Sequence, residues 1–522
     1  MKRLRRLATL GVLCAALHGT ANGPVAPLVE AAKTGDLPGL ERIVGDTDVD
    51  QATIDGTTAL HWAVHRDDAA MVDLLLDAGA KPTLTNRYDF PPLYFAAVNG
   101  NAAILKRLLA VGADPDTTVP GGETVLMTAS RTGDPAVIAA LLSAGADANA
   151  INDAGQTALM WAAAANNAEA VAALVAGGAE LAMRTEKGLD ALLFAVRAGR
   201  IEAVTALLDA GADIGATLAT GESALELALV NTHWDIAHLL LDRGANPNQS
   251  DAGYTALHRL AVQRAIIRGV VPSEEADIPI GALDITLDLV AKLIALGAHV
   301  DARMAKDRLK EQRFVNMRDV LFRIGATPFL LAAKEADLEL MAILLRAGAD
   351  PTIATTDGTT PLMVAAGLYS DTGNLHRFRE RGWEADVLEA VAVCLENDND
   401  VNAVNAVGDT ALHGAAYRGG VDVARLLVAR GARLDAVDSR GLTPLSVATG
   451  VYYKMGISAK PDTAKFLRTI MQVRGLSTDV LPPDMDQRCL YCYLTQYAQL
   501  EAAKKRAEEL ETQFALETGP RR

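Results

Sequence analysis

An all-α repeat solenoid is the fold class that this sequence predicts, and three observations support it. The chain has 522 residues, more than one ordinary domain holds. Half of the residues are apolar but only 4% are aromatic, a composition typical of thin helices that pack closely. The same residue pattern also returns every 33 positions over much of the chain. A row of stacked units accounts for all three, because each unit buries apolar surface against its neighbours.

The repeat is marked by an apolar residue that follows a Thr-Ala, Thr-Pro or similar pair. The first six markers, from Leu60 to Leu225, are each separated by 33 residues. The full set is Leu60, Leu93, Leu126, Leu159, Leu192, Leu225, Leu257, Phe329, Leu362, Leu412 and Leu445. A second signature, Leu-Leu-x-Ala-Gly-Ala, closes many of the units, as at residues 75–80 and 207–212. Two signatures at one fixed period indicate a structural repeat.

The two signatures resemble those of the ankyrin repeat, which has a 33-residue period and a Thr-Pro-Leu-His motif. Thr58-Ala59-Leu60-His61 keeps this motif with alanine in place of proline, and Thr443-Pro444-Leu445 keeps the proline. The likeness covers roughly residues 27–475. It implies about eleven units, each made of two short antiparallel helices and a hairpin-like finger that leads to the next unit. With a leader in front, the chain is similar to bacterial exported ankyrin proteins.

The residues of each unit explain how its helices begin and end. The motif threonine is expected to cap the first helix, because its hydroxyl can accept a hydrogen bond from an unpaired backbone N–H. The glycine of Ala-Gly-Ala is expected to end the second helix in a left-handed conformation. No unit is stable by itself, so function belongs to the stack.

Repeat spacing and composition divide the chain into five segments. They are residues 1–23, a signal peptide; 24–52, an amino-terminal capping half-repeat; 53–252, six regular repeats; 253–476, five divergent repeats with insertions; and 477–522, a linker with a Cys-x-x-Cys motif and an amphipathic helix. The signal peptide is predicted from a basic start, an apolar run over residues 7–17 and small residues after it. A buried first helix is the alternative.

Three insertions interrupt the divergent repeats, near residues 265–281, 304–323 and 369–385. The first and third part the two helices of a unit, and the second extends a finger. Insertions in a solenoid lie at exposed edges and often serve binding. Neutral drift of a loop is the alternative for each.

Composition and motifs exclude several classes of function. The formal charge of −16 repels phosphate backbones, so nucleic acid is not an expected partner. No apolar run beyond the leader is long enough for a membrane span. Nucleophile-elbow, phosphate-loop and dinucleotide motifs are missing from the sequence, so we expect neither an enzyme nor a cofactor. His61 and His65 are four residues apart but lack a third ligand, so no metal is predicted.

The carboxyl-terminal segment has two features of its own. Cys489 and Cys492 form a lone Cys-x-x-Cys, for which a local disulfide in an oxidising compartment is favoured and a redox or partner-linking role is the alternative. The following helical pattern, over residues 493–517, predicts a cap folded back on the last repeat. A short coiled coil with a partner is the alternative, and a monomer is expected otherwise.

The resemblance implies that a protein partner of unknown identity binds the concave groove formed by first helices and fingers. Carried over by motif register, the contact positions are Arg66, Tyr88, Phe90, Asn99, Arg131, Arg197, Tyr254, Tyr417 and Arg418. Tyrosine and arginine are frequent binding hot spots. Trp62 and Trp161 are expected to pack beside the core instead. The predicted function is an exported interaction scaffold, in the periplasm or outside the cell; alternatives are an effector or toxin component acting on host proteins and a redox protein using Cys-x-x-Cys.

Overall fold

A computed structural model describes residues 26–268, 281–306, 324–369, 383–439, 441–450 and 459–480. Within these residues the chain forms short helices and one small hairpin, which confirms the predicted all-α repeat fold. The chain divides into two compact units. Unit 1 comprises the chain up to Ala219 together with the short segment Asp242–Gly244. Unit 2 comprises Thr220–Leu241 and the chain from Ala245 onward.

The described residues of unit 1 form six helix pairs. They are α1 (Pro27–Thr34) with α2 (Leu37–Ile43), α3 (Ala59–His65) with α4 (Ala69–Asp77), α5 (Pro92–Asn99) with α6 (Ala102–Ala110), α7 (Val125–Thr132) with α8 (Pro135–Ser143), α9 (Ala158–Ala165) with α10 (Ala168–Ala176), and α11 (Ala191–Ala198) with α12 (Ile201–Asp209). Before α7, the finger forms the antiparallel strands β1 (Thr118–Val119) and β2 (Glu123–Thr124), with Thr118 opposite Thr124.

The described residues of unit 2 form the remaining helices. They are α13 (Ala224–Val230), α14 (Trp234–Asp242), α15 (Ala256–Ile267), α16 (Ala282–Ala295), α17 (Pro328–Lys334), α18 (Leu338–Arg346), α19 (Pro361–Ala366), α20 (Trp383–Glu396), α21 (Ala411–Arg418), α22 (Val421–Ala429), α23 (Pro444–Ala448) and α24 (Pro461–Val473). In each unit, an odd-numbered helix is the first of a repeat and the next even-numbered helix is the second.

The expected caps are present at both ends of the helices. The Thr124 hydroxyl accepts the Met127 N–H at 3.2 Å at the start of α7, and Thr327 does the same for Leu330 at α17. At the other end, Gly145 follows α8 with a φ of 98°, a left-handed value that L side chains rarely adopt. These local interactions confirm the roles predicted for the motif threonine and for the Ala-Gly-Ala glycine.

Apolar side chains between neighbouring helices form the core. In unit 1, α9 packs against α7 and α11, and α10 packs against α8 and α12. The marker residues Leu126, Leu159 and Leu192 are each 1% exposed, so the 33-residue period is the period of the core. Burial of a leucine side chain stabilises a fold by roughly 1.5–3 kcal/mol, and each repeat contributes several such residues.

The structure shows where helices or backbone hydrogen bonds occur at the ends of the three predicted insertions. Helix α15 continues to Ile267, so the first insertion begins as helix, and α20 begins at Trp383, inside the predicted third insertion. The two ends of the second insertion meet where the Met304 N–H donates to the Ala326 carbonyl at 2.9 Å. The insertions otherwise fall mainly on residues outside the described ranges.

None of the helices in the described ranges combines the length and apolar character that a membrane span requires. The predicted leader, residues 1–23, and the predicted tail helix lie outside the described residues.

Candidate functional site

The motif histidines connect each first helix to the next finger. His61 Nδ1 accepts the Thr58 N–H at 3.1 Å, and His61 Nε2 donates to the Phe90 carbonyl at 3.1 Å. Burial lowers the pKa of His61 to about 4, so the ring is neutral at pH 7. His258 in unit 2 makes the same two bonds, to Thr255 and Ala326, and its pKa is also lowered to about 4. These histidines therefore have a structural role, because each joins the start of a first helix to the following finger.

A third motif histidine lies in a buried cluster, where Asp409, His413 and Asp438 bring possible metal-ligand atoms within 4.8 Å of one another. His413 Nδ1 accepts the Thr410 N–H at 3.1 Å, and its Nε2 donates to the Leu442 carbonyl at 3.1 Å. The Asp438 carboxylate accepts the Leu442 N–H at 3.0 Å. Both ring nitrogens are thus engaged in holding the finger, and the cluster is a structural hydrogen-bond network.

A groove opens in unit 1 where α9 ends in four alanines, residues 162–165. The neighbouring first helices carry arginines at the position equivalent to Ala164, namely Arg131 on α7 and Arg197 on α11. A methyl group between two long side chains leaves room, and the resulting cavity has a volume of about 560 Å³. Its lining is Arg131, Gln156, Met160, Trp161, Ala164, Ala165, Phe194 and Arg200. Volumes of several hundred Å³ are typical of ligand sites.

Two aromatic rings and their arginines shape this groove. The Arg131 guanidinium lies 5.3 Å from the centre of the half-buried Trp161 ring, and Arg197 lies 5.2 Å from the Phe194 ring. Arg200 is anchored from the other side, because its Nε donates to the Ala164 carbonyl at 3.1 Å. A cation–π contact of this kind holds the face of a guanidinium against a ring and leaves the N–H groups at the guanidinium edge free to point elsewhere.

The groove carries positive charge in an acidic chain. Its lining contains two arginines and no carboxylate, whereas the chain as a whole has a formal charge of −16. Among the described residues of unit 1, the salt bridges to carboxylates involve Lys81, Arg107, Arg184, Arg243 and not the two groove arginines.

Four of the predicted contact residues lie near the start of unit 1. Arg66 and Asn99 are exposed at the ends of α3 and α5, where their side chains donate to carbonyls of the preceding repeat, Lys33 at 3.2 Å and Val64 at 2.8 Å. Each thus contributes to packing as well as to the surface.

Tyr88 and Phe90 are half-exposed on the finger before α5. Phe90 packs on Tyr94 with 4.7 Å between ring centres, and Arg87 donates to the Tyr88 hydroxyl at 2.9 Å. Both predicted residues are thus partly at the surface, where Phe90 belongs to an aromatic cluster with Tyr94 and Phe95, and Tyr88 pairs with Arg87.

Arg131 lines the groove, and Arg197 lies over the Phe194 ring but is not one of the lining residues. The sequence placed Trp161 only beside the core. Trp161 is half-buried and lines the groove, while Trp62, expected to pack as well, is 8% exposed and does so. The difference lies in the alanines that follow Trp161. That run of small side chains was the signal in the sequence for an open site.

The structure corrects the prediction for two residues of unit 2. Tyr254 is 0% exposed and its hydroxyl accepts a hydrogen bond from Arg259, and Arg418 is 8% exposed with Nη1 donating to the Ala365 carbonyl. Neither side chain is available as a surface contact, because neighbouring residues cover both. Tyr417 is half-buried and stays a predicted contact.

The predicted disulfide residues, Cys489 and Cys492, lie outside the described residues, as does the carboxyl-terminal helix. Cys394 is described, and it is a buried free thiol on α20. Burial raises the pKa of this thiol to about 12, so the thiol stays protonated and unreactive at pH 7. Cys394 is therefore a core residue of α20.

Comparison with protein families identifies the repeat. The profile described as "Ankyrin repeats (3 copies)" matches overlapping stretches at residues 28–119, 93–185, 126–218, 171–251, 192–280 and 383–457. A second profile, "Ankyrin repeat", matches residues 324–356. Together the matches cover more than half of the chain.

Curated relatives are similar over part of the repeat region. The neurogenic locus notch homolog protein 1 of Homo sapiens is 36% identical over 146 residues, which are 28% of this chain and 5% of that protein. The Xenopus tropicalis protein of the same name is 35% identical over 167 residues, 32% of this chain and 6% of that protein. The ankyrin repeat and SOCS box protein 3 of Bos taurus is 30% identical over 118 residues, 23% of this chain and 19% of that protein. The chain thus spans under a fifth of these relatives' lengths.

Proposed function

Because the chain belongs to the ankyrin repeat family, whose repeats imply protein–protein interaction, we propose that it is a scaffold whose unit 1 holds a protein partner on its first helices and fingers. The groove between α7, α9 and α11 is the centre of this surface. The proposal assigns binding to the chain and no catalytic step. The partner's identity is left to experiment.

One observation carries the proposal, namely that a half-buried tryptophan and an exposed arginine lie together in the groove. Arg131 lies over Trp161, and Phe194 lies beside them on α11. Tryptophan and arginine dominate binding energy at protein interfaces when they lie at the centre of a contact surface. A solenoid held by its own core has no structural need for an open groove lined by these side chains.

Site-specific photocrosslinking tests the location of the partner. A photoreactive amino acid placed at Ala198, which is exposed at the end of α11 one turn after the groove residue Phe194, is expected to crosslink a protein partner in cells that make the chain. The matched control is the same amino acid at Ala172, which is exposed on the second helix α10. Both sites replace an exposed alanine on a helix of unit 1, so the expression and stability of the two variants can be compared directly.

The expected result is a crosslinked species from position 198 that is weaker or absent from position 172. Trp161→Ala should reduce the amount of the species crosslinked from position 198, because the indole ring would no longer contact the partner. Equal crosslinking from both positions, or crosslinking only from Ala172, would move the partner to another face and contradict the proposal.

We also propose export to the periplasm or the extracellular space, on the basis of the basic and apolar residues that begin the sequence given. Mass spectrometry of the protein purified from its natural source tests this. A mature chain that starts near residue 24 supports export, and a chain that retains the apolar run over residues 7–17 argues against it.

A further inference from the structure

The groove in unit 1 has two faces of different chemistry. One is apolar, formed by Trp161, Phe194 and Met160. The other is cationic, formed by Arg131 and Arg200 at opposite sides of the Ala164 gap. A ligand that fits both must offer an apolar group and negative charge within the span of a few residues.

The positions of the two arginines favour carboxylates as the charged groups. Nε of Arg200 is already bonded to the Ala164 carbonyl at 3.1 Å, which leaves its terminal nitrogens for a ligand. The planar fork of a guanidinium pairs with a carboxylate through charge-assisted hydrogen bonds. No carboxylate of the lining supplies such a partner from within the chain.

Charge complementarity also separates this groove from the rest of the molecule. A chain with a formal charge of −16 repels an acidic partner at most of its surface, so an acidic segment that binds must find a local positive site. The same overall charge disfavours long polyanions such as nucleic acid, which would have to approach a much larger area. A short peptide segment meets both conditions.

We propose that the groove between α7, α9 and α11 binds an acidic peptide segment that carries an apolar side chain, a partner class that rests on the protein-binding function proposed above. The apolar side chain packs against Trp161 and Phe194 in the space beside Ala164. Carboxylates of the segment on either side pair with Arg131 and Arg200. The alanine run of α9 is what makes the site, because an arginine at position 164, as on the adjacent helices, would fill it.

Fluorescence anisotropy with synthetic peptides tests this partner class on the full chain. The probe is a fluorescein-labelled peptide, Glu-Glu-Gly-Phe-Gly-Glu-Glu, and two comparison peptides replace the glutamates with lysines or the phenylalanine with glycine. We expect the acidic phenylalanine peptide to bind about tenfold or more tightly than either comparison peptide, and its affinity to fall as salt is raised.

Charge reversal in the groove is the decisive variant. Arg131→Glu should weaken binding of the acidic peptide by about tenfold or more and improve binding of the lysine peptide, because the sign of the partner charge is inverted. Lys106→Glu makes the same charge change at an exposed position on α6 and should leave binding within about twofold. Ala164→Arg should fill the groove and weaken binding of the acidic phenylalanine peptide, because neither its phenylalanine ring nor its carboxylates could reach their contacts.

Several outcomes would overturn the inference. They are no binding of the acidic peptide to the wild-type chain, equal binding of the lysine peptide, an equal effect of Arg131→Glu and Lys106→Glu, or equal binding of a fluorescein-labelled single-stranded oligonucleotide. Circular dichroism of each variant shows that it is folded. If these outcomes occur while position 198 still crosslinks a protein, the partner class is wrong and the scaffold function stands. If position 198 crosslinks nothing, the scaffold surface itself is misplaced.

Discussion

Arginines occur at the ends of first helices in both units, but their surroundings are opposite. In unit 1, Arg131 is exposed and lies over Trp161 at the groove. In unit 2, Arg264 is 0% exposed, and its guanidinium pairs with Asp337 at 2.7 Å and with Glu339 at 2.9 Å. Residue type and helix position alone therefore do not tell an exposed arginine from a buried one. What the neighbouring repeat presents to the guanidinium decides whether the side chain stays at the surface or holds the fold.

The partners of Arg264 explain why it is buried. Asp337 caps α18 by accepting the Leu340 N–H at 3.2 Å, and its carboxylate is 3% exposed. Arg264 neutralises that carboxylate and also donates to the Thr286 hydroxyl of α16 at 2.9 Å. One side chain thus joins α15, α16 and the start of α18, next to the first insertion. Such a charge is tolerated in a core only because its hydrogen bonds are satisfied.

The largest effect predicted from the comparison is that of removing Arg264. Arg264→Ala leaves the Asp337 carboxylate buried without its cation, which should lower the free energy of unfolding of unit 2 by about 3–5 kcal/mol. Hydrogen–deuterium exchange resolves the two units, and we expect faster exchange in α15, α16 and α18 with little change in unit 1. The matched control is Arg430→Ala, an exposed arginine after α22. Similar exchange in both variants would show that Arg264 does not hold this part of the fold.

The two units are alike at the motif histidines, His61 and His258. A smaller loss of stability is expected there when the pH is lowered. The pKa values of His61 and His258 in the folded chain are about 4, below the usual 6.5. The unfolded chain therefore binds protons first as pH falls, so stability is present above pH 6.5 and is lost between pH 6.5 and 4. The loss is on the order of 3 kcal/mol for each histidine at pH 4.

Urea unfolding at a series of pH values measures this contribution. His61→Gln should be less stable at pH 7, since it loses the bond to the Phe90 carbonyl, and should show a shallower fall in stability toward pH 4. His299→Gln, at an exposed histidine, should keep the steep profile. A profile for His61→Gln as steep as that of the wild type would mean that this ring does not govern the acid response.

The sequence predicted the parts of the fold that depend on local interactions, and it predicted the candidate site only in part. Helix caps, glycine turns and buried leucines follow from residues within one repeat, so the motif was enough. The burial of Arg418 depends on another repeat, because Nη1 of Arg418 donates to the Ala365 carbonyl, and the motif of its own repeat does not contain that information. Tyr254 is buried as well, although the motif register places it at the surface. The groove at Trp161 arises from three adjacent repeats, and only a comparison of equivalent positions, Arg131, Ala164 and Arg197, would have indicated it.

The smallest expected effect is the change in stability of unit 1 when the groove arginine, Arg131, is removed. This variant is the sharpest test of the comparison. Arg131 is exposed, and its contact with the Trp161 ring is worth about 0.5–1 kcal/mol at such a site. Arg131→Ala should therefore change the free energy of unfolding of unit 1 by no more than about 1 kcal/mol, measured by urea unfolding and by exchange in α7 and α9. A loss of about 3 kcal/mol, as expected for Arg264→Ala, would make Arg131 a structural residue as well. Near-wild-type stability combined with loss of the acidic peptide would separate the two classes of arginine, because only a recognition residue can lose binding while the fold is kept.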